Sequence, residues 1–377
     1  MTKTAGGVAG SVAPGFELVR STFAEVMESH APGGGAAFAA MVDGRLVVDL
    51  WGGETNAGGR PWQEDTVAVL FSGTKGVVAT ALLTLVDEGR LLLTDRVAEH
   101  WPAFAAAGKA DITVAQMGAH AAGLPYLAQP ASASEVADLV TASELLALQA
   151  PVTPAGAPTY HAVTYGWLMD GLIRHICHVS AATLVAERVA QPLGLDLRIG
   201  LQGDRDAEGR LAELFPAPEF APSALAADDP DPRLEWVYPR FWENTVSADW
   251  LQAPNPAANG IATARAMATL YGSLVGGSLI SMRTLEEGTT AAAEGADVLT
   301  GRPLRFGPTG YELSGTPSRL GPADDAFGHT GAGGSSHGGW PSLRTGFSFV
   351  TSDLRLEMRD DRAPRLLDGL YAALRRG

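Results

Sequence analysis

Ser72 and Lys75 stand three residues apart at the head of a long apolar segment, Phe71-Ser72-Gly73-Thr74-Lys75. On a helix, positions i and i+3 share a face, so the hydroxyl and the amine can meet. A serine hydroxyl is a weak nucleophile until a neighbour takes its proton. A lysine stripped of water by a buried helix has its pKa lowered and can take that proton near neutral pH. The free N–H groups and positive dipole end of the helix favour an oxyanion beside Ser72. The spacing alone recurs by chance in chains of this length, so it needs partners. Pro154 to Gly166 is a Pro/Gly loop that delivers Tyr160 just before a helix. A phenol near a buried amine can shuttle protons; the plain alternative is a loop tyrosine with its ring packed and its hydroxyl in water. Phe327 to Ser335 holds His329-Thr330-Gly331-Ala332 in a glycine-rich stretch. Glycines let a substrate approach the backbone, and an exposed N–H there can complete an oxyanion hole; a simple turn is the alternative.

These residues need elements to hold them. Lys75 to Asp87 is apolar on nearly all sides, which predicts a buried helix. Phe16, Val19, Phe23, Val26 and Met27 recur at helical spacing and predict a surface helix. Two apolar runs, 36–42 and 45–51, flank Asp43-Gly44, a strong hairpin signal because the turn wants positive φ. Residues 88–290 alternate helical segments (142–148, 166–178, 181–189, 262–274) with Pro/Gly loops. The stretch 203–258, rich in Asp, Pro and Ala, reads as a long loop able to act as a lid or substrate wall. Gly346 to Thr351 predicts a strand and Ala363 to Arg376 an amphipathic helix. The economical packing is α+β: one antiparallel sheet flanked by helices and built from both termini (1–75 and 300–377), with a mostly helical domain (76–299) inserted and the site between them.

Composition narrows the chemistry. The 377 residues are 46% hydrophobic and 18% charged, which excludes global disorder and allows a large core. The formal charge of −15, with no basic stripe, argues against nucleic acid and anionic membrane surfaces. One cysteine, Cys177, cannot make an internal disulfide. Residues 1–15 lack the apolar stretch of a signal peptide and no apolar run reaches spanning length, so a cytoplasmic protein is the expectation. Gly-x-Ser-x-Gly, Gly-x-Gly-x-x-Gly and P-loop motifs are absent. His175, Cys177 and His178 lie close together, but no further ligand has recognisable spacing, and they read as helix-surface residues.

Taken in order, Ser72–Lys75, Tyr160-His161-Ala162 and His329-Thr330-Gly331 resemble the motifs of the serine β-lactamase and penicillin-binding-protein superfamily. The resemblance is specifically to its class C β-lactamase-like esterases, the family VIII carboxylesterases. His120-Ala121-Ala122-Gly123-Leu124-Pro125 is similar to the family segment His-Thr-Ser-Gly-Leu-Pro, departing at Ala121 and Ala122. The resemblance implies that Ser72 is acylated, that Lys75 activates it, and that Tyr160 serves as general base and then as acid to the leaving group. It implies an oxyanion hole from the backbone N–H groups of Ser72 and Ala332, and no metal or organic cofactor. Substrate would lie along His329, Thr330, Gly331 and Ala162.

Two departures bear on substrate. The tyrosine motif ends in Ala162, where β-lactamases carry an asparagine that grips an amide. His329 replaces a lysine that supplies a permanent cation; histidine is mostly neutral at pH 7. Both favour a neutral acyl ester over a β-lactam or D-amino peptide. His337 and Trp340 are further candidates to line the site, and Trp236, Trp242 and Trp250 to wall an acyl pocket. The expected activity is a carboxylesterase on small to medium acyl esters, with transfer of the acyl group to an amine or alcohol as the alternative.

Overall fold

A computed structural model describes residues 7–129, 131–217, 247–315, 319–356 and 359–376. Its centre is a nine-stranded antiparallel sheet. In chain order the strands are β1 (Val8–Val12), β2 (Gly35–Val42), β3 (Arg45–Gly53), β4 (Ala293–Ala296), β5 (Pro303–Phe306), β6 (Glu312–Leu313), β7 (Phe327–Gly331), β8 (Ser335–Trp340) and β9 (Thr345–Thr351). They pair in the order β1-β3-β2-β9-β8-β7-β6-β5-β4, so the two ends of the chain meet at the β2–β9 ladder. The expected hairpin joins β2 and β3, with Asp43 and Gly44 both at positive φ.

Side chains alternate across the sheet. Ala36, Phe38 and Ala40 of β2, with Trp340, Phe347 and Phe349, pack under α1 (Glu17–Glu28) and α5 (Arg362–Leu374). Ala37 and Ala39 of the same strand face the other way, into the larger core. That core contains α2 (Gly73–Asp87), α3 (Thr164–Cys177) and α4 (Ala264–Val275). All fourteen residues from Gly73 to Val86 are buried, which is the all-round apolar helix expected from its composition. Helix α4 lies directly on β9 and β2. A Cβ on Gly346 would collide with the backbone of Tyr271 and Gly272, so glycine there sets how close the helix comes.

Helices α2 and α4 rest on the sheet, and β4 joins it from residue 293. The glycine-rich stretch around His329 is not a plain turn: it forms two paired strands, β7 and β8. No helix among the described residues is long and apolar enough to cross a membrane. Most of the predicted lid, 203–258, lies outside the described residues, together with Trp236 and Trp242.

Candidate active site

The chain reaches Ser72 through a strained turn. Phe71 adopts φ +46° and is buried, a conformation unfavourable for a bulky residue and held only by surrounding contacts. Thr74 supplies two of these: its hydroxyl donates to Phe71 O at 2.6 Å and accepts Gly260 N–H at 2.7 Å. Ser72 stands at the amino end of α2, and its hydroxyl makes no capping bond to the helix. The Oγ therefore remains available to the cleft.

Two other side chains converge on it. Lys75 Nζ lies 3.1 Å from Ser72 Oγ and donates to Ala257 O at 2.9 Å. Tyr160 donates its phenolic O–H to the same Oγ at 3.0 Å. Lys75 Nζ also sits 5.0 Å from the Tyr160 ring centroid. Lys75 is wholly buried, and burial pushes its pKa well below the ordinary lysine range. Among the described residues no carboxylate pairs with it.

The Tyr160 loop is pinned from both sides. Tyr160 N–H donates to Asp297 Oδ2 at 2.7 Å, and His161 N–H to His120 Nδ1 at 3.0 Å. Asp297 also caps its own turn, accepting Leu299 and Thr300 N–H at 2.8 and 2.7 Å. His161 Nε2 accepts Leu124 N–H at 3.0 Å. The His120 ring stacks obliquely 4.8 Å from Tyr160, and Phe306 lies against both rings. Asp297, His120 and Ala257 were not singled out by sequence reasoning. His120 has a signal in the segment before Gly123-Leu124-Pro125; the Asp297 carboxylate and the Ala257 carbonyl serve partners far away in the sequence and leave none.

The third wall is β7. Thr330 donates both its N–H and its hydroxyl to Glu312 Oε2, at 3.1 and 3.0 Å. His329 is 3% exposed, and burial with the nearby Lys75 pushes its pKa down to about 3. Its Nδ1 bonds Thr330 O at 2.7 Å, which places the proton on Nδ1 and leaves Nε2 as a buried acceptor without a partner among the described residues. The wall therefore offers no cation at His329. Ala162 packs with Tyr126, Val152, Tyr160 and Leu299 and adds no polar group. Past Gly331 the backbone N–H of Ala332, like that of Ser72, has no acceptor among the described residues. Ala332 packs in a small apolar cluster with Phe71 and Trp250, so the two N–H groups belong to neighbouring segments.

Two expected lining residues sit elsewhere. Trp340 is fully buried on the opposite face of the sheet, against Phe347 and Tyr371, with Nε1 donating to Leu320 O at 2.8 Å. Alternation along β8 turns it away from the cleft. His337 is on β8 rather than in a loop. It is fully buried behind the nucleophile turn, where a Cβ on Gly73 would strike its ring, and it pairs with the Ser348 hydroxyl at 2.8 Å. It supports the turn from below and does not face the cleft. His175 stacks on Trp101, with ring centroids 5.1 Å apart, and among the described residues no three His, Cys, Asp or Glu side chains gather as a metal site.

A hydroxyl, an amine and a phenol meeting at the end of a buried helix, beside a strand of an antiparallel sheet, define a serine hydrolase. The family model described as β-lactamase matches residues 19–371, and the chain belongs to that family. It is 36% identical over 367 residues to the esterase/β-lactamase LipL of Mycobacterium tuberculosis, covering 93% of this chain and 83% of that protein. Its structure is similar to that of a penicillin-binding-protein homologue from Caulobacter crescentus, with TM-score 0.89, 33% identity, and coverage of 97% and 99% of the two chains. A family VIII carboxylesterase matches with TM-score 0.87, 33% identity and the same coverage.

Proposed function

We propose that the protein is a carboxylesterase that cleaves small to medium neutral acyl esters through an acyl-enzyme on Ser72. One observation carries this reading: Ser72 Oγ touches both Lys75 Nζ and Tyr160 OH, at 3.1 and 3.0 Å. Burial pushes the Lys75 amine towards its neutral form, which can accept a proton. The Lys75–Tyr160 pair borders Ser72 and takes its proton as Oγ attacks the ester carbonyl. The oxyanion then forms near the Ser72 and Ala332 N–H groups. Tyr160 returns the proton to the departing alkoxide. Water attacks the acyl-enzyme carbonyl and gives a proton to the same pair, which returns it to Ser72 Oγ as the Oγ–acyl bond breaks and the acid leaves.

Two features of the walls support an uncharged substrate. His329 is neutral, Ala162 and Ala121 are apolar, and an ester carboxylate would find no cation at His329. The names of LipL and of the family VIII carboxylesterase support the esterase reading. Transfer to an amine or alcohol would require residues 203–258 to exclude water, and most of that segment is outside the described residues.

A fluorophosphonate followed by peptide mapping tests this. One adduct is expected, on Ser72, together with turnover of p-nitrophenyl butyrate that disappears in Ser72→Ala. Undiminished turnover in Ser72→Ala sinks the reading. Product analysis with an added alcohol separates hydrolysis from transfer.

A further inference from the structure

Beneath the Ala332 turn lies a buried ion cluster that the chemistry above does not use. Arg362 opens α5 and is 1% exposed; Asp353 and Asp360 are buried with it. Arg362 Nε and Nη2 donate to the two oxygens of Asp360 at 2.8 and 2.7 Å. Its Nη1 reaches Asp353 Oδ2 and Thr351 Oγ1, each at 3.3 Å, with His30 Nε2 at the same distance. Burying such a group is costly unless every charge and N–H finds a partner. Here the guanidinium also grips backbone: Nη2 donates to Asp353 O at 2.8 Å and to Gly333 O at 3.1 Å.

Gly333 sits one residue beyond Ala332, and its carbonyl is held twice, by Arg362 and by Arg355 N–H at 3.2 Å. Gly334 N–H then closes the turn on Gly331 O at 3.2 Å. That carbonyl belongs to the Gly331–Ala332 peptide. The peptide is planar, so fixing its C=O fixes the direction of the Ala332 N–H on its other side. The turn is moulded to the cluster: Gly333 and Gly334 adopt φ +90° and +109°, and a Cβ on Gly334 would collide with the Asp360 carboxylate.

We propose that Arg362, clamped by Asp360 and Asp353, is a positioning residue that aims the Ala332 N–H at the reacting carbonyl. The proposal rests on the reading of Ala332 as an oxyanion donor. Arg362→Lys keeps a cation between the carboxylates but cannot span Asp360 and Gly333 O together. Asp360→Asn is the milder second variant if that one folds poorly. Rates are taken per active site, counted by fluorophosphonate titration. For Arg362→Lys, kcat on an oxo-ester should fall roughly ten- to a hundredfold with KM nearly unchanged. The preference for the oxo-ester over its thiono analogue should fall in parallel, because a C=S group accepts hydrogen bonds poorly and gains little from the donors. Asp360→Asn should move both readings in the same direction by less. Per-site kcat and thiono preference at the parental level, with only thermal stability reduced, would overturn the proposal. Labelling separates this from the parent reading: label still on Ser72 in the Arg362 variant keeps the acyl-enzyme, whereas turnover surviving in Ser72→Ala removes it.

Discussion

Around Ser72 the nearest groups are an amine, a phenol and imidazoles that burial pushes towards neutrality, with the carboxylates of Asp297 and Glu312 accepting backbone N–H groups, whereas under the Ala332 turn the holding groups are a guanidinium and two carboxylates. Burial pushes the Lys75 amine towards its neutral form, and His120, His161 and His329 are pushed the same way for the same first reason. Arg362, Asp353 and Asp360 instead form ion pairs at 2.7 and 3.3 Å. The difference follows from what each side does. In the proposed reaction a proton moves between Lys75, Ser72 and Tyr160, and a fixed charge a few ångströms away would bias that transfer by a large factor in a dry site. The turn moves no proton. It must hold one peptide plane still, and a charged fork with several acceptors suits that task.

The sharpest way to break the contrast is to put a permanent charge on the proton-moving side. Lys75→Arg keeps a cation but cannot lose it near neutral pH. We expect kcat to fall by about 10³-fold or more, as for loss of a unit of a serine triad, with Ser72 labelling slowed equally. If the variant works at near parental rate, neutrality of the amine is not what the burial is for.

A smaller effect, about tenfold per pH unit, comes from titrating the same pair. The lowered pKa of Lys75 makes the deprotonated pair the active form, so kcat/KM should be flat above that pKa and decline as pH falls through it. The limb should vanish with Lys75→Met, along with most activity. A profile that falls instead on the alkaline side of neutrality would contradict the assignment of the pair as base.

Asp297→Ala probes how the phenol is held. It removes the acceptor of Tyr160 N–H and of two N–H groups in its own turn. Tyr160 keeps its ring contacts with His120 and Phe306, so we expect roughly a tenfold loss in kcat with little change in KM, consistent with a small misplacement of a reacting group. An unchanged kcat would show that the ring packing alone positions the phenol.

The contrast also explains what could be read in advance. Helix α2 was legible because its burial forces an unbroken apolar run, and Ser72 and Lys75 because i and i+3 need only that helix. The β2–β3 hairpin was legible from Asp43-Gly44. Strands β7 and β8 were not: Phe-Gly-His-Thr-Gly and Ser-Ser-His-Gly-Gly-Trp carry little alternation, and their pairing is supplied by neighbouring strands. The same gap misassigned Trp340 and His337, since the side of the sheet a residue faces depends on a strand register the pattern does not reveal. The ion cluster was invisible for another reason. Arg362 and Asp360 are two apart, but Gly333, whose carbonyl they secure, is some thirty residues away and offers only backbone.

The smallest effect concerns stability, and it separates the two regions by pH. His329 and His337 are held near 3 and His161 near 4 in the folded chain, in each case chiefly by burial, against 6.5 when exposed. Above pH 6.5 neither the folded nor the unfolded chain protonates them, and the stability they permit is intact. Below it the unfolded chain takes up protons that the folded chain refuses, so each such histidine lowers stability by about 1.4 kcal/mol per pH unit, down to its folded pKa. Urea melts at pH 7.5, 6.0 and 5.0 should therefore show a falling midpoint with an unchanged slope. His337→Gln is the informative variant, because it sits behind the nucleophile turn and touches no proposed reacting group. It should be less stable than the parent at pH 7.5, through the lost fit beneath Gly73, yet lose less on going to pH 5.0. Equal pH dependence in parent and variant would mean that acid acts elsewhere, and the paired carboxylates of the Arg362 cluster would be the next groups to test.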